Sequence, residues 1–379
     1  KVAREVVIIF TASRFRKHDF FDMANIPQSD FLSTKNLSRV FNNTTATYKF
    51  YWFQSLLQMH NEEGIYRMNV WDLVIRMVAN AWFPIHYFHL SFGSMDSLHK
   101  IVTELQWMTD LPMDAKKEEV VECLTARLDD KKVKDQLATL VRNVPYRFLS
   151  PWINYTSDAD VIARSHAYEN GCLYSIQKTK DEFYITINPV WNKYLQDYYG
   201  ILTDFINWNL TLFLQQRNPN IPNIPNKLTR PMERTSLSKQ RRFWDDVIRI
   251  GGHVHCIYTG QEIHIGDFAV DHFLPWSFVA HDQLWNLIPA DNSINSSKSD
   301  KLPPLDRFLK KLAEEHREAI KIYLGAGKKE SALEDFASLG YTPRDLLQLN
   351  RERFLAAYQQ TFTPLFQIAQ NMGYEVWNV

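Results

Sequence analysis

Phe268-Ala269-Val270-Asp271-His272-Phe273-Leu274-Pro275-Trp276-Ser277 is followed by Leu284-Trp285-Asn286-Leu287-Ile288-Pro289 and then by Asn292-Ser293-Ile294-Asn295-Ser296-Ser297-Lys298-Ser299-Asp300. The pattern predicts a strand ending in an adjacent carboxylate and imidazole, a loop, a short second strand opened by an amide, and a capped polar helix. Adjacent residues of a strand point to opposite faces, so Asp271 and His272 cannot both aim straight at one atom. They can sit on either side of a scissile phosphate's path. An Asp oxygen and an Asn amide oxygen are hard donors suited to Mg²⁺ or Mn²⁺, which keep several waters and take one or two protein oxygens.

On these residues the segment resembles the HNH (ββα-metal) endonuclease family: Asp271-His272 match the first element, Asn286 the central Asn, and Asn295 the final His or Asn. The gaps, 13 residues between His272 and Asn286 and 8 between Asn286 and Asn295, fit that pattern. The continuation Lys298-Ser299-Asp300-Lys301-Leu302-Pro303 is similar to the HNH domain of RNA-guided CRISPR nucleases. The resemblance covers residues 250–310, and residues 1–225 resemble no family. Many HNH domains hold a structural zinc on two CxxC pairs, but the matching positions here are Cys256, Thr259, Asp291 and Ile294. One thiol does not make a four-coordinate zinc site, so no structural zinc is expected and the hairpin is expected to be held by packing around Tyr258, Phe268 and Trp276.

The resemblance implies hydrolysis of a nucleic-acid phosphodiester. His272 would take a proton from the attacking water, Asn286 would brace the loop or the imidazole, and Asp271 and Asn295 would hold Mg²⁺ or Mn²⁺. Asp300 could add a ligand or be a solvated charge.

Charge patterning sharpens this. Residues 251–297 contain no Lys or Arg and five acids, whereas 227–250 carry seven basic residues against three acidic, a net of +4, and 298–311 carry five against two, a net of +3. An acidic centre between basic arms suits cation and phosphate together. Arg241 and Arg242 upstream, with Lys298 and Lys301 downstream, are the candidate nucleic-acid contacts.

Further outward, residues 1–217 predict a mainly helical recognition or regulatory domain. Its helical candidates include the aromatic run from Tyr48, capped by Thr44 or Thr45, and 70–82, 96–108, 116–128, 131–142 and 190–216. A β-hairpin is predicted near 171–189. Three prolines at three-residue spacing, Pro219, Pro222 and Pro225, read as an extended connection, and 218–235 as a Pro/Asn-rich linker. A basic helix from Ser236 to Ile250 opens the HNH nuclease domain, 236–311, and Gly251 to Gly266 predicts tight hairpins. Residues 312–379 form a C-terminal helical segment, with Thr342-Pro343 and Thr363-Pro364 each reading as an N-cap and first helical residue. The fold class expected is mainly α with a small α+β part: a helical N-terminal domain, a ββα-metal (HNH) nuclease core and C-terminal helices.

Composition bounds the rest. The 379 residues balance 43 Lys+Arg with 43 Asp+Glu, so non-specific grip on DNA should be weak and fade steeply with salt. A protein partner or activating complex is therefore expected. The three cysteines are far apart, which argues against a disulfide framework and for a cytoplasmic location. The apolar run Val6–Phe10 is too short for a signal sequence, and the interrupted stretch Trp71–Phe92 too polar for a membrane span. The function expected is a metal-dependent endonuclease acting on DNA, in bacterial anti-phage defence or restriction. Two alternatives stand beside it: a non-catalytic nucleic-acid-binding or scaffold protein that retains the HNH fold, and an RNase using the same site.

Overall fold

The computed structural model describes residues 26–230, 236–251 and 253–378. The run Val6–Phe10, read as a strand or helix segment, and Glu233 and Arg234 of the basic arm lie outside them. Among the described residues there are five short strands in two small sheets, and the protein is 59% helical, which is mainly α with a small α+β part. The chain forms two compact units: Lys1–Asn80 with Gly93–Thr109 and Lys117–Leu210, and Ala81–Phe92 with Asp110–Lys116 and Thr211–Val379.

The first unit is built on bulky aromatics. The helix Tyr48–Asn61 buries nearly its whole circumference, its aromatic and aliphatic residues together with Lys49, Gln54, Ser55 and His60. Its Phe50 and Phe53 pack on Phe41, and Phe53 also meets Phe148 of the helix Lys131–Phe148. The helix begins after Thr47 instead of Thr44 or Thr45. No side chain of its own caps it; the Asp96 carboxylate accepts from the Thr47 N–H at 2.6 Å. Arg67–Asn69 (β1), Tyr174–Lys178 (β2) and Phe183–Ile187 (β3) form an antiparallel sheet in the order β1-β3-β2. β2 and β3 are the hairpin about Thr179–Glu182; β1 is too short and too polar to announce itself as a strand.

The second unit contains the segment quoted at the outset. Val254 and Ile263, with Cys256 and Gln261, pair their backbones in a tight hairpin turned at Gly260, whose φ of +77° favours glycine. Ala269–His272 (β4) then pairs antiparallel with Leu287–Ala290 (β5), placing Asp271 opposite Ile288 and His272 opposite Leu287. The helix Asn292–Lys298 follows, its first N–H groups received by the Asp291 carboxylate. Around this ββα unit lie the amphipathic helices Ser238–Gly251, Leu305–Gly325 and Arg351–Asn371, which bury Phe243, Trp244, Phe308, Leu312, Tyr358 and Phe362 in one core.

His316 fastens that core to β5. Fully buried, its Nε2–H donates to the Leu287 carbonyl at 3.0 Å, so its Nδ1 accepts from the Tyr358 hydroxyl at 2.9 Å. Burial pushes its pKa down to about 4. A histidine depressed in the folded state contributes stability that is present above its unfolded pKa of about 6.5 and is lost as the pH falls toward 4. The size of that loss is roughly 3 kcal/mol. Glu315, pushed up to about 7 by burial, has the opposite slope between its ordinary value and 7. Urea unfolding of wild type and His316→Gln from pH 4 to 7 separates the two: the stability gap between the proteins should shrink as the pH drops.

Two expectations change on folding. Residues 218–230, read as an extended and hydrogen-bond-poor connection, are packed. Asn218 bonds the backbone of Ser91 on both sides, Asn223 Nδ2 donates to the Val279 carbonyl, and Lys227 is fully buried with its Nζ on the Pro222 and Phe278 carbonyls. Asparagine and lysine side chains supply the bonds that the prolines lack. Thr363-Pro364, read as a helix start, lies inside Arg351–Asn371, which begins instead at Asn350, whose Oδ1 accepts from Arg353 N–H. A mid-helix proline costs about 3 kcal/mol; burial of Phe354, Tyr358, Phe362 and Ala369 along the same face offsets it.

Candidate active site

β4 ends at a cleft of about 590 Å³ whose wall includes Asp271, His272, Asp282, Asn295, Ser299 and Asp300, together with Asp114 and Trp276. Four carboxylates and no Lys or Arg line it among the described residues. The strand's alternation separates Asp271 from His272. The Asp271 side chain turns into the protein, 3% exposed, while the imidazole is 14% exposed.

His272 is held by a carboxylate. Its Nε2 lies 2.9 Å from Asp282 Oδ1. An ionised carboxylate only accepts, so Nε2 carries the proton and the Nδ1 lone pair is the nitrogen left to bind a proton. The loop that delivers Asp282 is pinned: Ala280 takes a left-handed φ of 51°, Gln240 Nε2 donates to the Asp282 carbonyl, and Leu284 N–H donates to Asp335. His281 beside it is pushed down to about 4 by burial, so the neighbouring imidazole is neutral at pH 7. Asp282 was legible in the sequence only as one of five acids in the motif's surroundings, because a contact across a loop has no fixed spacing.

Asn286 is fully buried and braces the loop after β4. Its Oδ1 accepts from Leu274 N–H and its Nδ2 donates to the Leu274 carbonyl, both at 2.9 Å, while its own carbonyl accepts from Phe273 N–H. Of the two bracing roles expected for it, the loop is the one its amide performs, and the imidazole is left to Asp282.

Asp271 is paired inside the protein. Lys298 Nζ lies 2.9 Å from Oδ1 and the Tyr258 hydroxyl donates to Oδ2 at 2.6 Å; the same Nζ donates to the His272 carbonyl at 2.7 Å. Lys298 has no exposed surface. Read from the sequence as a phosphate contact, it is instead the internal counter-ion of Asp271, because the helix Asn292–Lys298 turns its last residue under β4. Arg241 is likewise drawn inward, with Nη2 donating to the Phe268 carbonyl at 2.7 Å and its guanidinium over the Phe268 ring. Arg242 is exposed and Lys301 half-buried.

The donor chemistry around Asp271 and Asn295 is that of a hard cation, but the arrangement does not fit one as it stands. Both Asp271 oxygens are engaged, one by a positive charge, and the described residues hold no group of three His, Cys, Asp or Glu side chains placed around a common ion. Cys256 is a buried free thiol, and Asp291, aligned with a zinc-ligand position, caps its helix.

Residues 256–304 match a protein-family model described as HNH endonuclease, and the rest of the chain is not recognised. No curated protein and no solved structure matches the chain. No helix among the described residues is long and apolar enough to cross a membrane. The matched residues are those that build β4, β5, the capped helix and the cleft wall at His272, and this segment is of the HNH endonuclease family.

Proposed function

We propose that the chain is an endonuclease that hydrolyses DNA phosphodiester bonds at the cleft beside β4, with bacterial anti-phage defence or restriction as its setting. The observation that carries this reading is His272, with one nitrogen fixed on Asp282 and the other left as a base at the edge of the cleft. A water between Nδ1 and a bound phosphodiester would lose its proton to the ring as its oxygen attacks phosphorus, while the bond from phosphorus to the 3′ oxygen breaks and that oxygen leaves and takes a proton from solvent. Asp282 would stabilise the imidazolium so formed, and Asn286 would hold the loop that follows the base. Arg242 and Lys301 remain the proposed phosphate contacts. Asp271 and Asn295 remain the proposed donors for Mg²⁺ or Mn²⁺, with no step assigned to the ion while Lys298 occupies Asp271.

Residues 1–217 are proposed as the recognition or regulatory part, 236–311 as the nuclease domain, and a partner or activating complex as the source of affinity that a neutral chain lacks. Incubation with supercoiled plasmid and with a matched RNA duplex, in Mg²⁺ and in Mn²⁺ at low salt, tests the reading. Nicked or linear plasmid with intact RNA is expected. Intact plasmid with cleaved RNA would make the chain an RNase. If both substrates survive with every candidate partner supplied, the scaffold reading takes over, which the neutralised Asp271 favours on its own.

A further inference from the structure

We infer that Lys227 is a positioning residue for His272: buried behind the loop that delivers Asp282, its amino group holds that loop in the conformation that fixes which ring nitrogen is left as the base. The inference rests on reading His272 as the base, and it adds a device in residues 218–230 that sets the ring's tautomer from a distance.

The first observation is a polar head placed where an apolar side chain would be less costly. Lys227 has no exposed surface, and its Nζ donates to the Pro222 carbonyl and, at 2.6 Å, to the Phe278 carbonyl. Among the described residues no carboxylate pairs with it. A buried ammonium without a counter-charge is destabilising, so a methionine in its place would serve the fold better. What methionine cannot do is hold two carbonyls. Burial pushes the lysine's pKa down to about 7. Charged or neutral, the nitrogen keeps at least two N–H donors, so its grip on the two carbonyls does not depend on the charge.

The second is what those donors hold. Phe278 and Val279 directly precede Ala280, whose φ of 51° and ψ of 42° are left-handed and disfavoured for a residue with a Cβ. Asn223 Nδ2 donates to the Val279 carbonyl at 2.9 Å, so two side chains of one short turn, Ile224–Lys227 with its N-cap, grip successive carbonyls of that strained turn. Two residues past Ala280, Asp282 Oδ1 meets His272 Nε2 at 2.9 Å. Gln240 and Asp335 fix the backbone at and after Asp282; Lys227 and Asn223 fix it before. Released from the second pair, Ala280 would relax toward a right-handed φ and redirect the chain that carries the carboxylate. Three residues beyond Lys227, Arg230 donates to the carbonyl of Asp114, so the same segment shapes the cleft wall at a second point.

The test reads the ring directly, on the full chain. In spectra of the ¹⁵N-histidine protein at about pH 8, well above the ordinary histidine pKa, wild type is expected to show His272 protonated on Nε2. Lys227→Met should show a mixture of tautomers with unchanged far-ultraviolet circular dichroism. The same variant should lose about tenfold in kcat with KM nearly unchanged. Because Lys227 acts through Asp282, the substitution should add almost nothing in an Asp282→Asn background, whereas a general loosening of the fold would add in full. A wild-type tautomer in Lys227→Met, or full additivity of the two losses, overturns the proposal. If Lys227→Met does not fold, Asn223→Asp decides by the same spectra: the position is exposed, aspartate tolerates its left-handed φ of 54°, and a carboxylate has no N–H to give Val279. Plasmid cleavage separates the two readings. Mixed tautomers in the variants of a chain that cleaves no DNA remove the nuclease and keep the clamp; cleavage by wild type with an unshifted ring in the variants does the reverse.

Discussion

His272→Ala is expected to slow plasmid cleavage by about 10²- to 10⁴-fold while the far-ultraviolet circular dichroism stays that of wild type. The ring sits at the cleft edge and, among the described residues, is held by Asp282, so its loss removes the proposed base without opening the core. Asp282→Asn should lose less, about tenfold to a hundredfold, in the range typical of groups that orient a site residue from behind. An amide can donate as well as accept, so it no longer dictates which ring nitrogen holds the proton. The deficit should fall on kcat and leave KM nearly unchanged, and Asp282→Glu should recover part of it. Nuclear magnetic resonance of the ¹⁵N-labelled ring gives an independent check: Nε2-protonated imidazole in wild type, and a mixture of tautomers in Asp282→Asn. Wild-type cleavage by His272→Ala would end the assignment of this ring as the base.

The second large effect is on stability. Removing either partner of the Lys298–Asp271 pair leaves an unpaired charge in a site with almost no solvent, and Lys298→Ala or Asp271→Ala should each destabilise the protein by about 3–5 kcal/mol. Replacing both with uncharged residues of similar size, Asp271→Asn with Lys298→Met, should cost far less than the sum, because the charges that needed each other have gone together. Urea unfolding of the four proteins measures this as a coupling energy. Strict additivity would mean that the two groups do not interact in solution. Tyr258→Phe belongs to the same series with a smaller expected loss, about 1–3 kcal/mol, since it withdraws one hydrogen bond from a carboxylate that keeps its ammonium.

Much of the site was legible before folding because its geometry is local. β4, the turn after it, β5 and the capped helix lie within thirty or so consecutive residues, and turn chemistry with alternation is enough to order them. The carboxylate of Asp291 was set where a helix start needs one, and the facing of Asp271 and His272 to opposite sides follows from the two-residue period of a strand. The same locality explains the errors at Thr363-Pro364 and at 218–230. A proline signals a boundary only if nothing outside the segment outweighs it, and in both places burial against distant residues does.

What the sequence determined by itself, then, is the identity of the HNH segment, its ββα order and the mainly helical class, since each depends on neighbours in the chain. Only the tertiary structure decided which groups meet. Asp282 reaches His272 across a loop, Tyr258 reaches Asp271 from the preceding hairpin, and His316 ties β5 to a helix that begins after the motif ends. The same is true of Lys298, whose charge reads as a surface contact in one dimension and is neutralised under β4 in three. A charge on a list of residues has no depth; the cost of burying it appears only when the chain closes over it, and then a partner must be there to meet it.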